Sequence, residues 1–243
     1  MAKENNIQDL LHDVAEAIRE KKGTTDLISP QDFSSEIRSI KSGTTEVNTF
    51  GEVMVDKDGA GFSGVKQVVF PDTLTEIKKQ AYSNNQSIAS FFIPKSVVIL
   101  DNMAFYNSLI ITVMEIEDDS QLEYIGAYCF TNDRFKTFKL PKRVSSINNS
   151  TFSGCNYIQT FEIQGEVSRI DTWAFSNCNK LVCLNFSNNS ITPTLTNVNA
   201  FTGTTCQFIV PDNLYDEWIV ATNWSTYADR IVKASEYVEP TTE

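Results

Sequence analysis

The sequence predicts an α+β repeat solenoid, and three observations carry that reading. Seven short stretches share the order apolar, any residue, apolar, then proline or a polar residue: 68–71, 91–94, 114–117, 138–141, 161–164, 184–187 and 208–211. Their closing positions step by 23, 23, 24, 23, 23 and 24 residues. A second series runs beside the first: Ala81-Tyr82, Ala104-Phe105, Cys129-Phe130, Thr151-Phe152, Ala174-Phe175 and Ala200-Phe201. Its aromatic follows the closing position by 11 residues in four of six repeats, and by 13 and 14 in the others. Third, an apolar residue stands five positions before most of these aromatics, at Ile77, Leu100, Ile125, Ile147 and Ile170. The last repeat breaks that rule, with Thr196 at the slot and Leu195 and Val198 nearby.

A period of this length with one strand per repeat is that of leucine-rich-repeat solenoids. One repeat cannot bury its apolar side alone, so neighbours stack and share a continuous core. Within each strand the two apolar residues flanking a variable one point the same way, because side chains alternate. Val68/Phe70, Phe91/Ile93, Phe138/Leu140 and their equivalents are therefore expected inside, with the second aromatic series entering the same core from the opposite wall.

The stretches Ile147-Asn148-Asn149-Ser150-Thr151-Phe152-Ser153-Gly154-Cys155 and Ile170-Asp171-Thr172-Trp173-Ala174-Phe175-Ser176-Asn177-Cys178-Asn179-Lys180-Leu181 closely resemble the BspA-like (Treponema pallidum-type) leucine-rich repeats. That family's pattern runs I-G-x-x-A-F-x-x-C-x-x-L, then a strand and "IP". The resemblance implies a solenoid over residues 65–211. The third repeat departs from the pattern, with Asp133 at the Cys slot and two extra residues before Phe130.

Ahead of the repeats, residues 5–22 predict an amphipathic helix. Ile7, Leu10, Leu11, Val14 and Ile18 fall on one face, and Gly23 is a stop. Ser29-Pro30 opens a second helix, as an N-cap followed by proline at the first helical position. Phe33, Ile37 and Ile40 form its stripe. Two such short helices are not stable alone, so residues 1–43 are expected to form an anchor or oligomerisation segment. The run 14–33 resembles N-terminal segments of virion and tail-fibre-like proteins of Bacteroidales phages, which implies attachment to other virion proteins.

Residues 44–64 predict a linker and entry cap. Within them Asp56-Lys57-Asp58-Gly59 reads as a hairpin turn, because Gln67 stands where a calcium loop needs glutamate. After Pro211, residues 212–235 predict a helical, aromatic-rich cap with Leu214, Trp218, Ala221, Trp224, Tyr227 and Ile231 on its stripe. The segment resembles the C-terminal cap of Bacteroides BspA-like proteins. Residues 236–243 are an acidic tail without a packing signal.

Net charge is −11, which disfavours a phosphate-backbone partner, so nucleic acid is not expected. No apolar run reaches the length of a membrane span. The start, Met1 to Asn6, lacks the apolar core of a secretory signal. A mature chain, or export inside a phage particle, is the expectation that follows. The five cysteines lack C-x-x-C spacing, and Cys155 and Cys178 occupy one repeat slot, which favours buried free thiols over a disulfide. His12, the single histidine, is far in sequence from any cysteine. No Cys-His or Ser-His-Asp arrangement, phosphate-binding glycine loop, metal set or cofactor site is therefore expected.

Binding is the class that remains. The outward strand column is Val69, Phe92, Glu115, Lys139, Glu162, Asn185 and Ile209, and the column beside it runs Gln67, Ser90, Val113, Thr137, Thr160, Cys183 and Gln207. The apolar ends are expected under residues 47–62 and under the C-terminal cap. The polar centre, Glu115, Lys139, Glu162, Asn185, Thr137 and Thr160, is the expected binding surface for a host glycan or protein. Together with the N-terminal resemblance, this predicts a non-enzymatic, homo-oligomeric virion fibre or decoration protein that adheres to a host surface. A bacterial cell-surface adhesin and a purely architectural virion component are the alternatives.

Overall fold

A computed structural model describes residues 67–239 except Ser87, and only the backbone of Gln67 and Val69. The anchor residues Ile7, Leu10, Leu11, Val14, Ile18, Phe33, Ile37 and Ile40, the 44–64 linker and the chain's last four residues lie outside the described residues.

All seven predicted strands form: β1 (Gln67–Val69), β3 (Ser90–Ile93), β5 (Val113–Ile116), β7 (Thr137–Leu140), β9 (Thr160–Ile163), β11 (Cys183–Asn185) and β13 (Gln207–Val210). Between them lie two-residue strands: β2 (Glu76–Ile77), β4 (Ile99–Leu100), β6 (Tyr124–Ile125), β8 (Ser146–Ile147), β10 (Arg169–Ile170) and β12 (Thr194–Leu195). These carry the apolar slot of the third sequence marker. In the last repeat Leu195, not Thr196, fills that slot, and it pairs with Ile170. Every strand pairing is parallel and joins one repeat to the next, which gives a front and a back ladder.

Between the ladders the six predicted aromatics form an unbroken stack. Ring centroids from Tyr82 through Phe105, Phe130, Phe152 and Phe175 to Phe201 are 5.6, 5.5, 5.5, 5.4 and 5.7 Å apart and nearly parallel. Strand aromatics meet this stack edge-on, as Phe161 does against Phe152 and Phe175 (both 5.0 Å). Each such pair adds about 0.5–1.5 kcal/mol beyond the burial of its area. Two residues before and two after most of these rings the backbone is left-handed, as at Gln80 and Asn84 or Trp173 and Asn177. The position after the ring is Asn or Gly throughout: Asn84, Asn107, Asn132, Gly154, Asn177 and Gly203. These residue types tolerate that region best. At Gly154 (φ +73°) a Cβ would also lie 2.1 Å from the Asn132 amide oxygen.

Three residues after each aromatic from Phe105 onward a buried side chain ties one repeat to its predecessor. Ser108 Oγ donates to the Tyr82 carbonyl (2.6 Å), Cys155 Sγ to Phe130 (2.9 Å) and Cys178 Sγ to Phe152 (3.1 Å), while Thr204 Oγ1 donates to Phe175. These groups also accept: Asn85 N–H donates to Ser108 Oγ (3.2 Å) and Cys178 N–H to Thr204 Oγ1 (2.9 Å). The predicted buried thiols are thus hydrogen-bonding members of this ladder, and all five cysteines are free. Burial pushes the Cys129, Cys155 and Cys178 thiols well up and raises Cys206 to about 12. A thiolate is the reactive form. A chromogenic thiol reagent at pH 8 is therefore expected to react readily only with half-buried Cys183, and with five thiols after denaturation. Fast reaction of two or more native thiols refutes the ladder.

Asp133 fills the same slot in the third repeat. Its Oδ1 accepts Ser108 N–H (3.1 Å), but Oδ2 is buried without a partner. Every other slot donor from Ser108 onward meets the aromatic carbonyl of the preceding repeat, and a proton on Oδ2 would offer the same side-chain donor to the Phe105 carbonyl, which already accepts Ser108 N–H (3.3 Å). Burial raises the Asp133 carboxyl well above its usual range. A raised folded-state pKa gives stability that is fully present below the unfolded value, about 3.9, and is lost as pH climbs through the folded one. Asp133→Asn keeps the shape and supplies a permanent donor. Its stability advantage over the parent should grow from pH 4 to pH 8, reaching about 1–3 kcal/mol in denaturant melts. An advantage that does not change with pH rules the protonated acid out.

The C-terminal cap departs from the predicted continuous helical stripe. It consists of a 3₁₀ turn (Asp212–Leu214), one α-helical turn α1 (Tyr215–Trp218), a 3₁₀ segment (Trp224–Arg230) and a strand β14 (Ile231–Lys233). Ile231 and Val232 are β-branched and face the free edge of β13, so they extend the ladder (Phe208↔Ile231, Ile209↔Val232) instead of continuing a helix. Trp218 and Trp224 pack on each other (4.6 Å) and on Phe186, closing the core. Ile209 is 3% exposed, and Phe92 is also buried.

Candidate binding surface

Both ladders break at one place. The front sheets are β1-β3-β5 and β7-β9-β11-β13-β14, and the back sheets are β2-β4-β6 and β8-β10-β12. The cause is visible in the chain. Ser108, Cys155 and Cys178 are each followed by two residues and then by a buried apolar one (Ile111, Ile158, Leu181), whose N–H closes a turn onto the slot carbonyl at 3.0–3.2 Å. After Asp133 only Arg134 intervenes before buried Phe135, so that turn cannot close. Arg134 N–H bonds the Ile111 carbonyl instead (3.0 Å), and β7 starts without pairing to β5.

The six residues expected to form the binding surface are all exposed. Four of them are brought together on β7 and β9, where Thr137 faces Thr160 and Lys139 faces Glu162 in register. Asn185 follows on β11, and its amide oxygen accepts Ser187 N–H (2.9 Å). Glu115 stands apart, on β5 across the break.

The break opens a cleft of about 380 Å³. Thr112, Val113, Met114 and Glu115 line one wall, Arg134, Lys136 and Thr137 the other, and Tyr157 lies beyond. Arg134, Tyr157 and Lys180 occupy equivalent positions just before the buried apolar residue in three successive repeats. The two cations lie 5.6 and 5.0 Å from the Tyr157 ring centroid. Tyr157 thereby restrains the guanidinium at the cleft without neutralising it. Among the described residues neither Arg134 nor Lys136 has a carboxylate partner; the ion pairs lie elsewhere, at Lys78–Glu76, Arg143–Glu123, Arg169–Asp171 and Lys233–Glu236. The outward strand columns did not reveal Arg134, Lys136 and Tyr157, because they precede the strands. Aligning the repeats on the buried apolar residue would have exposed both this column and the missing residue.

Among the described residues no group of three His, Cys, Asp or Glu side chains could hold a metal ion. No helix there is long and apolar enough to cross a membrane.

The family description "BspA type Leucine rich repeat region" matches in six copies, over residues 61–182 and 113–211, which is more than half of the chain. The chain belongs to the BspA-type leucine-rich-repeat family. A search of curated proteins returned no match. Among solved structures, this BspA-type chain is similar to the pneumococcal vaccine antigen PcpA, with a TM-score of 0.54 and 24% identity over 63% of this chain and 42% of that one. It also matches a leucine-rich cell surface protein of Faecalibacterium prausnitzii A2-165 (TM-score 0.40, 18% identity, 72% and 49% coverage). A third match is a leucine-rich-repeat protein of Bacteroides ovatus ATCC 8483 (TM-score 0.41, 18% identity, 60% and 52% coverage). The chain spans about half the length of these solved structures or less, and at these identities the likeness concerns the fold.

Because Lys139, Glu162, Thr137 and Thr160 are exposed and make no ion pair among the described residues, replacing any one by alanine should shift stability by less than about 0.5 kcal/mol. A larger loss in a chemical melt assigns the column to folding and removes it from the binding surface.

Proposed function

We propose that this BspA-type chain is a non-enzymatic adhesion protein that holds a surface glycan or protein against its polar strand face. The observation that carries this reading is the exposed column Thr137, Lys139, Thr160, Glu162 and Asn185 on paired strands, with Glu115 across the cleft. Repeat solenoids bind through such surfaces because successive repeats present side chains at fixed spacing. Residues 1–43 serve as the attachment or oligomerisation segment, a role supported by their amphipathic pattern.

Two carriers fit. One is the bacterial envelope, in keeping with the leucine-rich-repeat family to which the chain belongs. The other is a phage virion, head or tail, supported by the resemblance of residues 14–33 to virion segments, with the chain contacting neighbouring virion proteins. Mass spectrometry of washed envelopes and of density-purified particles separates them. A fixed ratio to a major capsid protein assigns the virion, and recovery only from envelopes assigns the cell surface.

The adhesive face is tested by probing arrays of glycans and extracellular proteins with the full chain. The variant Glu115→Ala/Lys139→Ala/Glu162→Ala/Asn185→Ala should lose the array ligand at least tenfold while its melting temperature stays within about 2 °C. Undiminished binding by this variant overturns the reading.

A further inference from the structure

We propose that the cleft between β5 and β7 binds an acidic sugar residue of a glycan, a pyranose that carries a carboxylate. The inference rests on the adhesive reading of the strand face and names its ligand class. A cleft of about 380 Å³ lies at the small end of the range for small-molecule sites. It is formed by a local change in chain length, not by loose packing, because the ring stack stays intact here, with Phe105 and Phe130 at 5.5 Å and Phe130 and Phe152 at 5.5 Å.

Charge sets the orientation. In a chain of net charge −11, this cleft gathers Arg134 and Lys136 on one wall without acidic partners. Arg134 is held beside the Tyr157 ring, and its planar fork suits a carboxylate in two-point contact. Glu115 on the opposite wall makes no ion pair there and accepts hydrogen bonds from hydroxyls. Thr112 and Thr137 add groups that both donate and accept. Val113 and Met114 give the wall an apolar part for the C–H face of a ring. The unpaired edges of β5 and β7 supply further backbone groups. This set matches one carboxylate with several hydroxyls on one ring. An acidic peptide presents repeated negative charge without hydroxyls, and Glu115 repels it.

The test is an NMR titration of the full chain with glucuronate, N-acetylneuraminate, glucose and a glutamate-rich peptide, at low and at high salt. The acidic sugars should move the signals of residues 112–115 and 134–137, with dissociation constants of about millimolar order that weaken with salt. Glucose should leave these signals in place. Arg134→Ala/Lys136→Ala, both at exposed positions, should lower the affinity at least tenfold with an unchanged circular dichroism spectrum. Glu162→Ala/Asn185→Ala, further along the face, should stay within twofold. Equal shifts from glucose, no shift from either acidic sugar, or shifts from the peptide alone overturn the proposal. The two readings also fail separately. An array ligand held by the strand face of a chain that ignores uronate overturns the sugar, whereas uronate binding without any array ligand upholds the cleft and overturns the adhesive face.

Discussion

The stack of six rings from Tyr82 to Phe201 is the constraint to which the rest of the solenoid conforms. Its spacing stays between 5.4 and 5.7 Å even where both strand ladders stop. Burial of flat, rigid side chains is non-directional and large, whereas one backbone hydrogen bond contributes about 1 kcal/mol net. When the chain length of a repeat changes, the ladder therefore gives way before the stack does. The third repeat shows this twice, with two extra residues before Phe130 and one fewer between Asp133 and Phe135 than its neighbours have.

The same repeat holds Asp133, a slot residue whose chemistry differs from the Ser, Thr and Cys of the other slots from Ser108 onward. Hydroxyls and thiols give and take a hydrogen bond at once, so they fit a position that faces a carbonyl on one side and an amide on the other. An ionised carboxylate only accepts. Burial favours the neutral form of Asp133, and the chain next to it, at Arg134 and Lys136, forms the cationic wall of the cleft. Structural irregularity and candidate binding chemistry arise from one short stretch of sequence.

Much of this was legible beforehand. The seven strands, the ring stack and the buried thiols follow from period-two alternation, a fixed 23–24-residue step and a shared slot. The polar strand column is exposed as alternation requires. The ladder break was not read, because the strand markers stay close to period and the missing residue hides between two of them. The left-handed positions were signalled by Asn and Gly two residues after each ring, a pattern overshadowed by the rings themselves. The helical spacing of aromatics in the cap yields only one α-helical turn and 3₁₀ segments, and beyond residue 230 β-branched Ile231 and Val232 pair with an open sheet edge instead.

The turn wall has a direction. The amides of Tyr82, Phe105, Phe130, Phe152 and Phe175 each donate to a carbonyl of the following repeat, at 2.7–3.0 Å. Their partners therefore always lie nearer the C-terminus. During synthesis each repeat leaves the ribosome with these amides unmet, and it closes only when roughly one further period of chain has emerged. The newest repeat is always the incomplete one. The last ring, Phe201, has no following repeat, and Trp224 and Tyr227 of the cap pack against it. The cap, made after the last of these rings, is thus the step that completes the stack.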